Sequence, residues 1–410
     1  VAANNQDEDV YTFEKFLGLR NTVSEESFEL GDLSVALNAD ITDALRAQRR
    51  EGFAATAVAT AHHSFWSNGV VALMVSGGNL VEVLPDHSTR VVRTGLTVGE
   101  RMYYASIGDR VFYSNGVDTG VFSKGESRSW GVQSPTKLPL ADPIGGSLPV
   151  GLYQYALTYV RSDGQESGVG RSGLVSLTVP GGIRFYDIPA SSDPSVTHKR
   201  LYVSPVNGDA LWLLMVLPNA ATDATYTVER TGTTPLTTQF LSPALPGRHL
   251  ARFSGHVLLA RGSILYRSEP YAPELFDLRK GLPFASRITL VAPVDDGVYL
   301  GTEAEVIWLP GREPDKWTEQ PRLDYGAIPG TLAYTSAEEI SERGQGPAAV
   351  FATTRGICAG LPGGSVLNLT AARFNYPVMD EGAAVVRDSR GTVQYLVTLR
   401  GTERPANTAF

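Results

Sequence analysis

Two histidines stand side by side at His62 and His63, ahead of Ser64, Phe65 and Trp66. Imidazoles ligate zinc, but neighbours on a strand point to opposite faces, so this pair does not close on one metal. The 6 histidines form no His-Glu-x-x-His or His-x-His set. Carboxylates are the next candidates. Asp109, Asp118, Asp295 and Glu303 could supply the acid and base of a glycoside hydrolase, which needs two such groups about 5–9 Å apart. Each lies at or near a glycine turn, as in Asp295-Asp296-Gly297, and Asp-Gly is ordinary turn chemistry. The spacing of a calcium loop is absent. Gly77-Gly78 and Gly363-Gly364 do not run from a strand into a helix, as a phosphate loop must. Cys358 is the single cysteine; it forms no disulfide within the chain and no cysteine-based zinc site, and reads as a buried thiol. No cofactor or metal follows, and the chain is not expected to be an enzyme.

Residues suited to binding are more prominent. Arg46, Arg49 and Arg50 form the densest basic spot, with Arg20 upstream. Guanidinium groups pair bidentately with carboxylates, which suits an acidic neighbour; a solvated surface is the other reading. Tyr11, Phe13 and Phe16 are apolar anchors in an acidic arm with little core of its own. Such an arm packs either on its own domain or on a neighbouring subunit. Asp163, Gln165 and Glu166 follow a strand in Ser-Asp-Gly-Gln-Glu-Ser. They form either an exposed recognition loop or a plain hairpin turn.

The elements that position these residues are strands. The chain has 410 residues, 42% hydrophobic and only 19% charged, with 42 glycines and 25 prolines. That mixture suits short strands joined by turns rather than helical bundles. The net charge of −8 comes without any Lys/Arg block, which excludes ordinary duplex binding. No apolar run is long enough for a membrane-spanning helix. The polar N-terminus VAANNQDEDVYTF has no signal-peptide core, so a soluble protein of a reducing cytoplasm is expected.

From residue 53 to about 138, and again from 241 to 410, short apolar runs recur around glycine turns: WSNGVVALMVSGGNLVEVLPD, FSGHVLLARGSILYRSEP, AAVFATTRGICAGLPGGSVLNLT. Val111-Phe112-Tyr113, Ile264-Leu265-Tyr266 and Val306-Ile307-Trp308 occupy matching strands. A hairpin unit recurring about every 35–45 residues predicts a degenerate β-propeller, with a sandwich or irregular solenoid as the alternative. Between the halves, residues 139–240 carry strands at sandwich spacing, opening on GLYQYALTYV with Tyr153, Tyr155, Leu157 and Tyr159 on one face. Residues 1–52 form an irregular arm in which VALNADI reads as a strand, though a helix from Asp32 to Arg50 fits almost as well. The expected class is therefore an all-β degenerate propeller with an inserted immunoglobulin-like sandwich.

Two stretches carry a resemblance. GLYQYALTYVRSDGQESG, with GLVSLTV and HKRLYVSPVNGDALWLLMVL after it, resembles a fibronectin type III domain. LNADITDALRAQRREGF at 37–53 resembles the N-terminal signature of phage tail proteins. Together they look like the tail nozzle family of short-tailed phages, also called tail tubular or DNA-stabilisation proteins. The resemblance implies a structural virion protein assembled in the host cytoplasm. It would form a homo-oligomeric ring of six at the distal end of the tail, bound to tail-tube or adaptor proteins and tail fibres. It would retain the genome, pass double-stranded DNA without reading its sequence, and meet the host cell surface. A mildly acidic wall suits a conduit, because each basic contact to phosphate would act as a brake. A carbohydrate- or protein-binding propeller is the alternative, and a propeller glycoside hydrolase the third reading.

Overall fold

The computed structural model describes residues 15–42, 44–50, 52, 62–230, 232–377, 379–389 and 392–401. Runs rich in Val, Leu and Tyr, cut every few residues by glycine, are too short to carry a helical stripe, and they form antiparallel strands instead. Helix among the described residues is confined to 3-10 turns of 3 residues each. The fold class is all-β and propeller-like, with a sandwich inserted between sheets of the blade type. The chain divides into two compact units, residues 59–285 and residues 1–58 with 286–410.

The 59–285 unit holds three meander sheets. His62–Ser67, Ala72–Ser76, Asn79–Val83 and Thr89–Arg93 pair in chain order, as do Tyr103–Ile107, Arg110–Ser114, Thr119–Ser123 and Glu126–Arg128. Arg248–Phe253, His256–Arg261, Ile264–Glu269 and Ala272–Phe276 make the third. Four strands paired in sequence order are the blade unit of a propeller. The sheets stack through alternate residues: Val111 and Tyr113 face Leu73 and Leu80 of the first sheet. Phe112 and Val121 face Val257 and Leu259 of the third. Trp130 fills the gap at the end of that second layer, 5.2 Å from Phe112 and 5.9 Å from Phe276, its indole N–H donating to the Pro273 carbonyl at 2.8 Å. Tyr266 is only half-buried at the rim of this core.

The sandwich strands run from Leu140 to Tyr226 and do not follow chain order. Leu140–Leu148, Gly181–Tyr186 and Asp223–Tyr226 form one sheet. Ser172–Leu177, Gly151–Arg161, Val196–Val203 and Trp212–Pro218 form the other. Tyr153, Tyr155, Leu157 and Tyr159 point into the shared core with Ile183 and Phe185. Their alternation was readable in the sequence. The opposite face of the same strand is also buried, because Leu211 and Leu236 cover Ala156 and Tyr202.

The sandwich is tied to the connection that leads from it into the third meander sheet. The Cβ of any larger residue at Gly168 would stand 1.6 Å from the Leu241 carbonyl oxygen, so only glycine lets the two backbones approach. Thr238 Oγ1 donates to the Ser167 carbonyl at 2.8 Å.

The other unit holds two meander sheets, Ile288–Val294 to Gln320–Leu323 and Ala333–Ser336 to Val366–Asn368, and the hairpin Glu381–Ser389 with Thr392–Arg400. Tyr299, Trp308, Phe351 and Cys358 meet in one core. The Trp308 ring lies 4.5 Å from that of Tyr299, whose hydroxyl donates to the Leu361 and Ser365 carbonyls. Burial pushes the Cys358 thiol pKa up, which keeps it an unreactive thiol. In the N-terminal segment the expected strand is shortened to Ala39–Ile41, paired with Ala47–Arg49, and the described residues between 32 and 50 form no helix. Asn38 takes a left-handed backbone (φ 53) that breaks the alternation running from Val35.

Candidate functional site

The N-terminal segment is fastened by two aspartates. Asp32 has no exposed side-chain surface and sits between Arg20, at 2.8 Å, and Arg373. The Arg20 guanidinium, above all, holds its carboxyl down at about 2, well below the usual range. Asp40 sits between Arg50, at 3.0 Å, and Arg387, at 2.9 Å. Burial alone would raise the Asp40 carboxyl; the two guanidinium groups more than reverse this and lower it. Each carboxylate thus joins an arginine of the N-terminal segment to one near the C-terminus. Asn21 adds a third tie: its Nδ2 donates to the Asn375 carbonyl at 2.6 Å, and its Oδ1 accepts the Asn375 N–H at 2.7 Å.

These contacts sort the arginines proposed as an interface. Arg20 and Arg50 are consumed within the chain, so neither is a free clamp for an acidic neighbour. Arg46 and Arg49 are exposed and make no ion pair among the described residues. Phe16 is half-buried, its N–H donating to the Leu45 carbonyl at 2.7 Å. Tyr11 and Phe13 lie outside the described residues. The segment's polar side is tied down, while Leu30 (66% exposed), Val35 (53%) and Leu37 (83%) stand out to solvent.

The Asp163–Glu166 loop is not a free recognition loop. Asp163 accepts from Arg128 at 2.8 Å and from Arg161 at 3.2 Å. Arg161, with 1% of its side chain exposed, also donates to the Ser129 carbonyl at 3.3 Å and to the Gln165 side chain. Glu166 turns inward and accepts from Arg200 at 2.5 Å, Tyr202 at 2.7 Å and Thr158 at 2.5 Å. The local pattern read as a turn. The partners that capture it lie more than thirty positions away along the chain for Arg128, Arg200 and Tyr202, a distance no motif spans.

The sandwich buries one more cation. Lys199 has no accessible surface, and its Nζ donates to the carbonyls of Ala221 at 2.5 Å, Pro189 at 3.1 Å and Ile188 at 3.3 Å. Burial lowers its pKa to about 8. Of the carboxylates weighed as hydrolytic groups, Asp118 accepts the Thr97 N–H at 2.7 Å and Glu303 pairs with Arg287 at 2.7 Å. Among the described residues no three His, Cys, Asp or Glu side chains come together as a metal site.

One concavity was not anticipated from the sequence. A groove of about 550 Å³ is lined by Tyr325, Thr354, Arg355, Asn368, Asn375 and Tyr376. Its lining comes from three connections between residues 324 and 377 and from the end of the strand Val366–Asn368. The Arg355 guanidinium stacks over the Tyr325 ring, 4.9 Å from its centroid, and pairs with Asp324 at 3.1 Å. Tyr376 donates to the Thr353 carbonyl at 2.5 Å.

No family model and no curated protein matches the chain. Among solved structures it is similar to a streptogramin B lyase, at 10% identity over 83% of this chain and 93% of that one, with a TM-score of 0.32. It is also similar to selenomethionine-substituted virginiamycin B lyase from Staphylococcus aureus, at 8% identity over 82% of this chain and 90% of that one, with a TM-score of 0.30. Apo AztD from Citrobacter koseri follows at 11% identity, 76% and 87% coverage and a TM-score of 0.26. At such scores these likenesses carry no argument about activity or site.

Proposed function

We propose that the chain is a structural virion protein: the nozzle of a short phage tail, built as a ring of copies that retains the packaged genome and then conducts it. The observation that supports this reading is the N-terminal segment. Its acidic residues anchor it through Asp32 and Asp40, while Leu30, Val35 and Leu37 are exposed on the same segment as Arg46 and Arg49, which make no ion pair among the described residues. Large apolar side chains held out on a pinned segment are the makings of an interface. The neighbour that fits two free guanidinium groups is acidic, and a second copy of this chain, at net charge −8, is acidic.

The test has two arms. Light scattering and electron microscopy of the purified protein, alone and with tail complexes lacking it, should find rings. Val35→Asp with Leu37→Asp should abolish them while leaving the melting temperature unchanged. Particles assembled without the protein should lose their DNA. A wild-type protein that stays monomeric even on tails, or particles that keep their genome without it, would overturn the reading.

A further inference from the structure

We propose that the groove beside the Thr354–Arg355 turn binds an uncharged carbohydrate. Three features of its lining point to that ligand class. First, the walls are rigid before any ligand arrives. The Asn368 carboxamide donates to the Tyr325 hydroxyl at 3.2 Å and the Arg355 carbonyl at 3.0 Å, and accepts from the backbone of Thr370 and Ala371. On the far wall Asn21 locks the Asn375 backbone in both directions, and Thr22 Oγ1 donates to the Ala372 carbonyl at 3.0 Å. A site whose shell is already ordered loses little entropy on binding.

Second, the groups left over are the right ones. The Thr354 hydroxyl and the Asn375 carboxamide make no side-chain hydrogen bond among the described residues, and both line the groove. A carboxamide donates and accepts at once, which suits the neighbouring hydroxyls of a sugar. The rings of Tyr325 and Tyr376 supply apolar surface, and their hydroxyls are already engaged. The volume of about 550 Å³ falls in the range of small-molecule sites.

Third, the charge is cancelled. Arg355 is the groove's cation, and Asp324 sits 3.1 Å from it. A phosphate or sulfate would have to compete with that carboxylate for the guanidinium, whereas a neutral polyol meets a site with no net charge.

The experiment uses the whole chain. Saturation-transfer NMR with the methyl glycosides of glucose, galactose, mannose and N-acetylglucosamine should detect at least one binder at millimolar concentration, with heparin as the anionic comparison. Thr354→Ala and Asn375→Ala should each weaken that binding about three- to tenfold, one lost hydrogen bond apiece. Both side chains are exposed, so melting temperature should stay put; if one variant melts early, the other decides. Binding of no neutral glycoside, binding of heparin alone, or undiminished binding by both variants would overturn the proposal.

Discussion

The N-terminal anchor and the sandwich junction solve the same problem with opposite charges. At the anchor, a carboxylate is the buried centre and arginines are the arms: Asp32 between Arg20 and Arg373, Asp40 between Arg50 and Arg387. At the junction, the guanidinium of Arg161 is the buried centre, held by Asp163, Gln165 and the Ser129 carbonyl. The difference matters because an aspartate can lose its charge at accessible pH and an arginine cannot. One region can be opened by acid; the other has a permanent charge at its heart.

The largest loss of stability is expected at the junction backbone. Gly168→Ala should cost about 3 kcal/mol or more, since the clash with the Leu241 carbonyl is between main chains and no rotamer relieves it. Chemical denaturation should show the loss in the 59–285 unit. Next is Arg161→Met, which strands the Ser129 carbonyl and Gln165 and should cost about 2–3 kcal/mol by the same measurement. A loss near zero would mean that Arg161 does not centre the junction.

Titration separates the two regions by pH range. Asp32 and Asp40 have folded pKa values below the ordinary carboxyl value of 3.8. Their stabilising effect is therefore complete above the ordinary carboxyl range and is lost as pH falls through their folded values, about 2 for Asp32 and below the ordinary value for Asp40. Hydrogen exchange across residues 15–50 should rise in that window, and Asp40→Asn should raise it at neutral pH. Lys199 acts with the same sign in a higher range. Its folded pKa of about 8 lies below the ordinary 10.5, so the unfolded chain binds more protons between these values. Stability should rise with pH there, and Lys199→Met should flatten the rise. A wild-type melting curve that falls through the same range would count against the buried lysine. The smallest effect belongs to Asp163→Asn. It leaves Arg161 its Ser129 and Gln165 partners and should cost about 1 kcal/mol or less.

How far these regions were legible follows from the span of their contacts. The alternation of Tyr153, Tyr155, Leu157 and Tyr159 is local, and it placed a core strand correctly. That the reverse face of this strand is also covered could not be read, because its cover, Leu211 and Leu236, comes from connections with no periodicity. Arg50 was read as a cation seeking an acid. The acid, Asp40, was ten residues away, but Arg387 is 347 positions distant, and only the pair makes the site. The groove is the extreme case. Tyr325, Arg355 and Asn375 belong to different connections, and the wall of the last is set by Asn21, 354 positions earlier. Composition marks none of them.

That last tie has a consequence for the order in which the protein is made. Asp32, Asp40 and Asn21 leave the ribosome early, and their partners Arg373, Arg387 and Asn375 are synthesised 341 to 354 residues later. Until then Asp32 and Asp40 have only Arg20 and Arg50 of their own segment to hold, and Leu30, Val35 and Leu37 are carried on a segment not yet fastened to the rest of its unit. A nascent polypeptide stalled before residue 370 should therefore recruit chaperones through residues 15–50, and should release them only once the hairpin of Glu381–Ser389 and Thr392–Arg400 has emerged.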